Sequence, residues 1–447
     1  MTEKMKPSGI TWIGNIPQEW KMSRVKYHYE ISLGKMLQPL PLALTDTLEH
    51  YMCSANITWN GISLTPLKQM WFNASEKEQY RLQIGDLLVT EGGDVAVSCI
   101  WNGEVEECYL QNAAHRVRQF GTTDNRFLYY WLFLCKNIGY IDQICNKATI
   151  AHFTKEKFGE MPLCVMRTSE QTAISDYLDT QCAKIDSVIS DIEKQIEALR
   201  RYKKSLITEA VTKGLDRSVP MKDSGKDWIG EIPSEWEISR VKYLIDSNHP
   251  YPIGDGDHGM IKADDYLDEG IPYIRVLNLT WGDGMNLENL VFISDKMNAM
   301  IKNSELRPND ILIAKTGATI GKTAIVPESL PISNTTSHVG KITLPNTQCA
   351  KYFFYVMTSN IVQKQIQDIS AMQSTRPELG IEGMRDLVVV VPPLNIQQRI
   401  ADYLDDRCKK TDAILKAKKA QLEIMKKHKA SVIYEYVTGK KRVTEVN

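Results

Sequence analysis

The sequence predicts an α+β chain built twice: two α+β domains separated by two long helices packed as an antiparallel coiled coil, with a pseudo-two-fold internal repeat. Three observations lead to that expectation. Trp12 to Tyr27 and Trp228 to Tyr243 match at 12 of 16 positions at a constant offset of 216, where unrelated stretches of ordinary composition would share about one. Gln171 to Thr212 aligns without a gap on Gln397 to Thr438 at an offset of 226, with 17 of 42 positions identical. Finally, Ile185, Ile189, Ile192, Ile196, Leu199, Tyr202 and Leu206 step by threes and fours, which places an apolar seam on one helix face.

The elements follow in chain order. Residues 1–27 hold the first short repeat and 28–167 a first domain. Within that domain Asp86 to Thr90 reads as a strand and Arg126 to Cys135 as a helix. Residues 168–214 form the first helical spacer. Its stretch from Asp186 to Lys213 alone amounts to roughly 42 Å of helix at 1.5 Å per residue. Residues 215–244 hold the linker and the second short repeat, 245–393 the second domain and 394–447 the second spacer. In the second domain Asp310 to Ala314, Lys341 to Leu344 and Leu387 to Val391 read as strands, and Ala350 to Ile366 as one helix. The seam of the second spacer is a more polar version of the first: Thr411, Leu415, Lys418, Leu422, Met425, His428 and Val432. Gly214 and Gly439 stand where helix C-caps belong.

Composition narrows the function classes. The chain has 447 residues, 43% apolar and 24% charged, close to the globular norm. No run of 18 apolar residues and no apolar leader stand in it, so a membrane span or secretory signal is not expected and a cytoplasmic location is. Nine cysteines occur without a Cys-x-x-Cys pair, which suits a reducing compartment better than a disulfide framework or structural zinc. A net charge of −1 does not by itself announce a nucleic-acid binder.

Catalytic signatures are wanting. Thr316-Gly-Ala-Thr-Ile-Gly-Lys-Thr323 imitates a P-loop, but its glycines enclose three residues instead of four, and Pro327 follows where a helix should run. Gly92-Gly93-Asp94 and Asp255 to Gly259 lack EF-hand spacing. The eight histidines contain no His-x-x-x-His pair, and no Gly-x-Ser-x-Gly elbow occurs. These readings favour a binding protein with no cofactor or metal of its own.

Set in order, the motifs carry a resemblance. Trp12-Ile-Gly-Asn-Ile-Pro-Gln-Glu-Trp20 opens the chain and returns from Trp228; Gly34-Lys35-Met36-Leu37, Glu91-Gly92-Gly93 and Gln111 to Arg118 follow in the first domain. Asp255-Gly256-Asp257-His258-Gly259, Gly270 to Arg275 and Lys315-Thr316-Gly317 follow in the second. Nearly the whole chain resembles the DNA-specificity subunit of type I restriction–modification systems. That resemblance implies two target-recognition domains reading a split DNA target, and no active site in this chain. It also implies two methyltransferase subunits carrying S-adenosylmethionine for adenine N6 methylation, and motor-nuclease subunits using ATP and magnesium.

Base edges are read by Arg or Lys on guanine, Asn or Gln on adenine, and hydroxyls on either. With the matching motifs, that chemistry marks Lys35, Glu91, Asn112, His115, Arg116, Thr149 and His152 in the first domain. In the second it marks His258, Arg275, Asn278, Lys315, Thr316, Lys322, Asn334, Ser374 and Arg376. As a set, most of them are expected on one concave face of their domain. The stretch Lys409 to Arg442 carries a net charge of +8; it reads equally as a docking or backbone-contact surface and as a solvated helix face. The repeats alone also fit a two-headed coiled-coil adaptor that binds proteins rather than DNA.

Overall fold

A computed structural model describes residues 4–121, 123–145, 151–282, 284–371 and 377–443. The chain divides into two units: residues 1–192 with 421–447, and residues 193–420.

In the first unit seven strands form two sheets: β1 (Tyr29–Leu33), β2 (Thr47–Met52), β3 (Lys68–Phe72), β4 (Leu87–Thr90), β5 (Ser98–Ile100), β6 (Tyr109–Leu110) and β7 (Ala114–Gln119). One sheet has the order β5-β4-β7-β1, the other β6-β2-β3 with β6 parallel to β2. In the second unit β8 (Ile253–Asp255), β9 (Ile271–Ile274), β10 (Val291–Ile293), β11 (Ile311–Ala314), β12 (Thr323–Ile325), β13 (Asn334–Thr335) and β14 (Val339–Ile342) repeat the scheme. Their orders are β12-β11-β14-β8 and β13-β9-β10, again with one parallel pair. The two domains therefore share a topology that their sequences do not announce. Each domain also pivots on a glycine just past its first strand. A Cβ on Gly34 would overlap the backbone of Gln111, and one on Gly256 the backbone of Thr335 and Thr336.

The long helices are α1 (Thr168–Lys213) and α2 (Leu394–Val437). In the first unit Tyr177 meets Tyr436 and Asp186 meets Lys429, so the two helix segments run antiparallel. In the second unit Lys203 meets Asp412, and Ile207 and Val211 share a core with Ile400 and Leu404. Gly214 ends α1 with φ +76 and Gly439 closes the last turn after α2 with φ +69, the left-handed conformation that glycine adopts without Cβ strain.

The seam departs from its expected path in both helices. Tyr202 is 52% exposed, whereas Lys203 and Ile207 are buried; likewise His428 is exposed while Lys429 and Ile433 are buried. Beyond Leu199 the buried positions step by four, bringing a lysine inward in each copy. The ammonium is accommodated because an aspartate faces it: Lys203 Nζ lies 2.7 and 2.8 Å from the Asp412 carboxylate oxygens, and Lys429 Nζ 2.8 and 2.7 Å from those of Asp186. The two lysines are repeat mates, and so are the two aspartates.

Repeat mates also anchor each domain to its helix segment. Gln171 accepts from the Asp124 N–H and donates to the Met166 carbonyl; Gln397 accepts from the Cys349 N–H and donates to the Pro392 carbonyl. The Tyr130 hydroxyl donates to Asp179 (2.6 Å), and the Tyr355 hydroxyl to Asp405 (2.7 Å). Leu178 and Leu404 are fully buried in the respective cores, and truncating either to alanine would cost ~2–5 kcal/mol.

The helix expected over Ala350 to Ile366 is two helices, Ala350–Thr358 and Asn360–Ala371. Ser359 between them is extended (φ −67, ψ 153), and its hydroxyl donates back to the Val356 carbonyl. A serine there offers the backbone a local hydrogen bond in place of a continued helix.

Candidate nucleic-acid interface

The strands of each large sheet end at a common rim of turns. In the first unit the rim is tied together by backbone bonds. The Lys35 carbonyl accepts from the Asn112 N–H (2.7 Å), and the Ala113 carbonyl from the Glu91 N–H (2.9 Å). The Glu91 carbonyl accepts from the Phe153 N–H (2.8 Å), and Gly92 bridges to His152. Ala113 takes φ +71 and Ala96 φ +62, a conformation that non-glycine residues hold only where the surroundings enforce it.

The second rim has the same construction. The Lys315 N–H donates to the His338 carbonyl and the Leu379 N–H to the Lys315 carbonyl, both at 2.8 Å; Thr316 bridges to Glu378. Glu91 and Lys315 thus occupy equivalent places, as do Ala113 and His338. Common backbone wiring carries different side chains, opposite in charge at the first of these places.

Of the residues marked in the first domain, the rim gathers Glu91, Asn112 and His152, with His152 exposed and the other two half-buried. Three others lie in the interior. Lys35 is 5% exposed, ion-paired to Glu76 and hydrogen-bonded to Gln38 (2.6 Å). His115 is fully buried with Nε2 2.7 Å from the Phe153 carbonyl, and burial pushes its imidazole below the ordinary value of 6.5. Arg116 is 7% exposed and donates to the Gln79 and Arg81 carbonyls. These groups brace the rim from behind. Thr149 lies outside the described residues.

In the second domain the rim gathers His258, Thr316 and Lys322. Exposed His258 sits 3.1 Å from Asp255, and the Thr316 hydroxyl lies 3.0 Å from His338 Nδ1. Lys322 is half-buried in the turn where its carbonyl accepts from the Ala314 N–H. Arg275 is partly exposed, resting over the Tyr266 ring and donating to the Asn289 carbonyl at 3.0 Å.

Lys315, Asn278 and Asn334 lie in the interior. Lys315 is 3% exposed and pairs with Asp255. Asn278 and Asn334 are fully buried; Asn334 donates to Asn298 (2.9 Å) and accepts from the Ser304 hydroxyl (2.6 Å). All three satisfy buried partners, because an unpaired polar group inside would cost more than the bond returns. Ser374 and Arg376 lie outside the described residues.

The rim also holds residues that sequence reasoning passed over: exposed His338, half-buried Ser337, and Asp257 beneath them. Burial raises the Asp257 carboxyl, but the Ile261 N–H and the Tyr273 hydroxyl outweigh it, so the group stays below its ordinary range. The signal for His338 is topological, since it matches Ala113 only once the strands are aligned. Both rims offer mixed donors and acceptors. Among the described residues no group of three His, Cys, Asp or Glu could hold a metal, and no helix is long and apolar enough to cross a membrane.

Comparison with known proteins adds the following. The family model described as the type I restriction modification DNA specificity domain matches residues 17–198 and 233–424. The type I restriction enzyme EcoBI specificity subunit of Escherichia coli is 24% identical over 360 residues, covering 77% of this chain and 71% of that protein. The MjaVIII specificity subunit of Methanocaldococcus jannaschii is 24% identical over 328 residues, covering 72% of each. A solved structure concerned with complex assembly and conformational transition of the type I R-M system covers 95% of this chain and 99% of its own. It has a TM-score of 0.65 at 13% identity, a likeness of fold.

Proposed function

Since this chain belongs to the type I restriction–modification DNA-specificity family, we propose that it reads a bipartite DNA target, one half per domain, and recruits two methyltransferase subunits to it. The observation that carries this reading is the pair of rims: one topology and one backbone wiring, with different side chains at equivalent places. A shared scaffold presents two unlike readers, as a split asymmetric target requires.

Asn112 is suited to pair with an adenine edge, Glu91 to accept from the cytosine amino group, and Lys322 to donate to guanine. His152, His258, Thr316 and partly exposed Arg275 complete the two sets. A target split between two readers leaves unread base pairs between its halves. The chain supplies recognition and no catalytic group. Each methyltransferase brings S-adenosylmethionine for adenine N6 methylation, and motor-nuclease subunits bring ATP and magnesium for restriction. All of this takes place in the cytoplasm. The near-neutral net charge fits a reader whose partners supply much of the phosphate contact.

Single-molecule methylation sequencing of DNA from cells expressing the chain with its methyltransferase tests the proposal. N6-methyladenine in one split motif with a fixed gap is the expected result. A confirmed complex that leaves DNA unmethylated would overturn it in favour of a protein-binding adaptor.

A further inference from the structure

The short repeats hold identities that burial does not explain. Ile16 and Ile232, Trp20 and Trp236, and Val25 and Val241 are buried mates, so packing accounts for their agreement. Tyr27 and Tyr243 are also mates, yet they are 65% and 74% exposed. Each ends an identical Ser-Arg-Val-Lys-Tyr run.

The surroundings of the two tyrosines repeat as well. Lys26 Nζ lies 5.1 Å from the Tyr27 ring centroid, and Lys242 Nζ 5.4 Å from that of Tyr243. Arg24 and Lys26 share Glu160; Arg240 and Lys242 share Asp386, at 3.0 and 2.9 Å. The Val25 N–H donates to the Met161 carbonyl, and the Val241 N–H to the Leu387 carbonyl. The chain therefore displays one surface twice: an exposed ring flanked by an arginine and a lysine that one carboxylate holds in place.

We infer that this surface is the docking point for a protein subunit bound once at each copy, the tyrosine acting as the anchor. The inference rests on the two-methyltransferase reading above and names that subunit as the occupant. Position decides against DNA. The His28 carbonyl accepts from the Phe120 N–H just past the end of β7, and the Asp246 N–H donates to Thr343 just past β14. The patches therefore lie at the sheet ends remote from the rims, in the first unit roughly 15–20 Å away at ~3.3 Å per residue. Charge agrees, because the carboxylate already offsets part of the cationic charge that phosphates would need. Exposed tyrosine beside arginine is the composition of protein-interface hot spots. Identical partners require identical surfaces, whereas unlike DNA halves require unlike rims.

The test is native mass spectrometry of the full chain co-expressed with its methyltransferase, comparing wild type with Tyr27→Ala, Tyr243→Ala and the double variant. Each single variant is expected to weaken one of the two binding events at least tenfold, leaving one methyltransferase per chain where the wild type carries two. The double variant carries none. Tyr27→Asp should reproduce the loss, and unchanged melting of every variant excludes misfolding. A double variant that keeps two subunits at wild-type affinity would overturn the inference. So would intact assembly with weakened, salt-sensitive DNA binding, which would assign the patch to DNA. Failure of the wild type itself to bind methyltransferase would instead overturn the function on which the inference rests.

Discussion

The buried lysine–aspartate pairs give the sharpest quantitative test. Asp186→Ala removes the carboxylate that accepts both bonds from Lys429 and leaves the ammonium, whose side chain is 7% exposed, facing the helix seam. Breaking a fully buried pair costs ~3–5 kcal/mol and an exposed one ~0–1 kcal/mol. Asp186 is 40% exposed on its side chain, so water screens the lost partner in part, and an intermediate cost of about 2–3 kcal/mol follows. For a unit of this size that is a fall of about 5–10 °C in Tm. The double variant Asp186→Leu with Lys429→Met replaces the pair by apolar groups of similar volume and should return to within ~1 kcal/mol of wild type. Scanning calorimetry of the wild type, Asp186→Ala and the double variant reads both effects. If Asp186→Ala melts with the wild type, or the double variant melts as low as the single, the pair is not holding the seam.

Three further outcomes are expected. Gly34→Ala would force a methyl into the Gln111 backbone; it should lower solubility and abolish methylation of the first half-target while Gly85→Ala, whose added methyl meets open space, costs only its positive-φ strain of ~1 kcal/mol. His115, His28 and His249 all have burial-lowered imidazole values, so the unfolded chain binds protons more readily than the folded one. Stability should therefore be full above pH 6.5 and fall below it, and His115→Gln should reduce that slope in urea melts. Asn112→Ala should change the methylated sequence only in the half read by the first domain, and His258→Ala only in the other; parallel changes in both halves would contradict independent reading.

Several elements were legible because their signal is local or periodic. The strands at Leu87 and Ile311 are short β-branched or apolar runs between turn residues. The helices declare themselves through apolar steps of three and four, and the duplicated stretches show directly that the design occurs twice. The seam slipped by one position beyond Leu199 because hydrophobicity favours Tyr202 over Lys203, and only a facing aspartate makes the lysine the inward residue. The repeat already held that information: Lys203 with Lys429 and Asp186 with Asp412 are among its identities. The marked readers divided between rim and interior for a related reason. Lys, Asn and Arg have the same donors whether they serve a base edge or a buried carbonyl. Lys35 and Lys315 found carboxylates, and Asn278 and Asn334 found backbone and neighbouring side chains.

By itself the sequence determined the two-fold duplication, the helical spacers, the α+β class and the family, since these reside in periodicity and in motifs read along one dimension. Tertiary structure alone decided that the two divergent domains share one strand topology, and that Glu91 and Lys315 hold equivalent places on their rims. It also decided which polar side chains face solvent. Those outcomes depend on backbone pairing between residues far apart in the chain, whose register is set by which strand faces are buried and by the turns between them rather than by any motif read along one dimension.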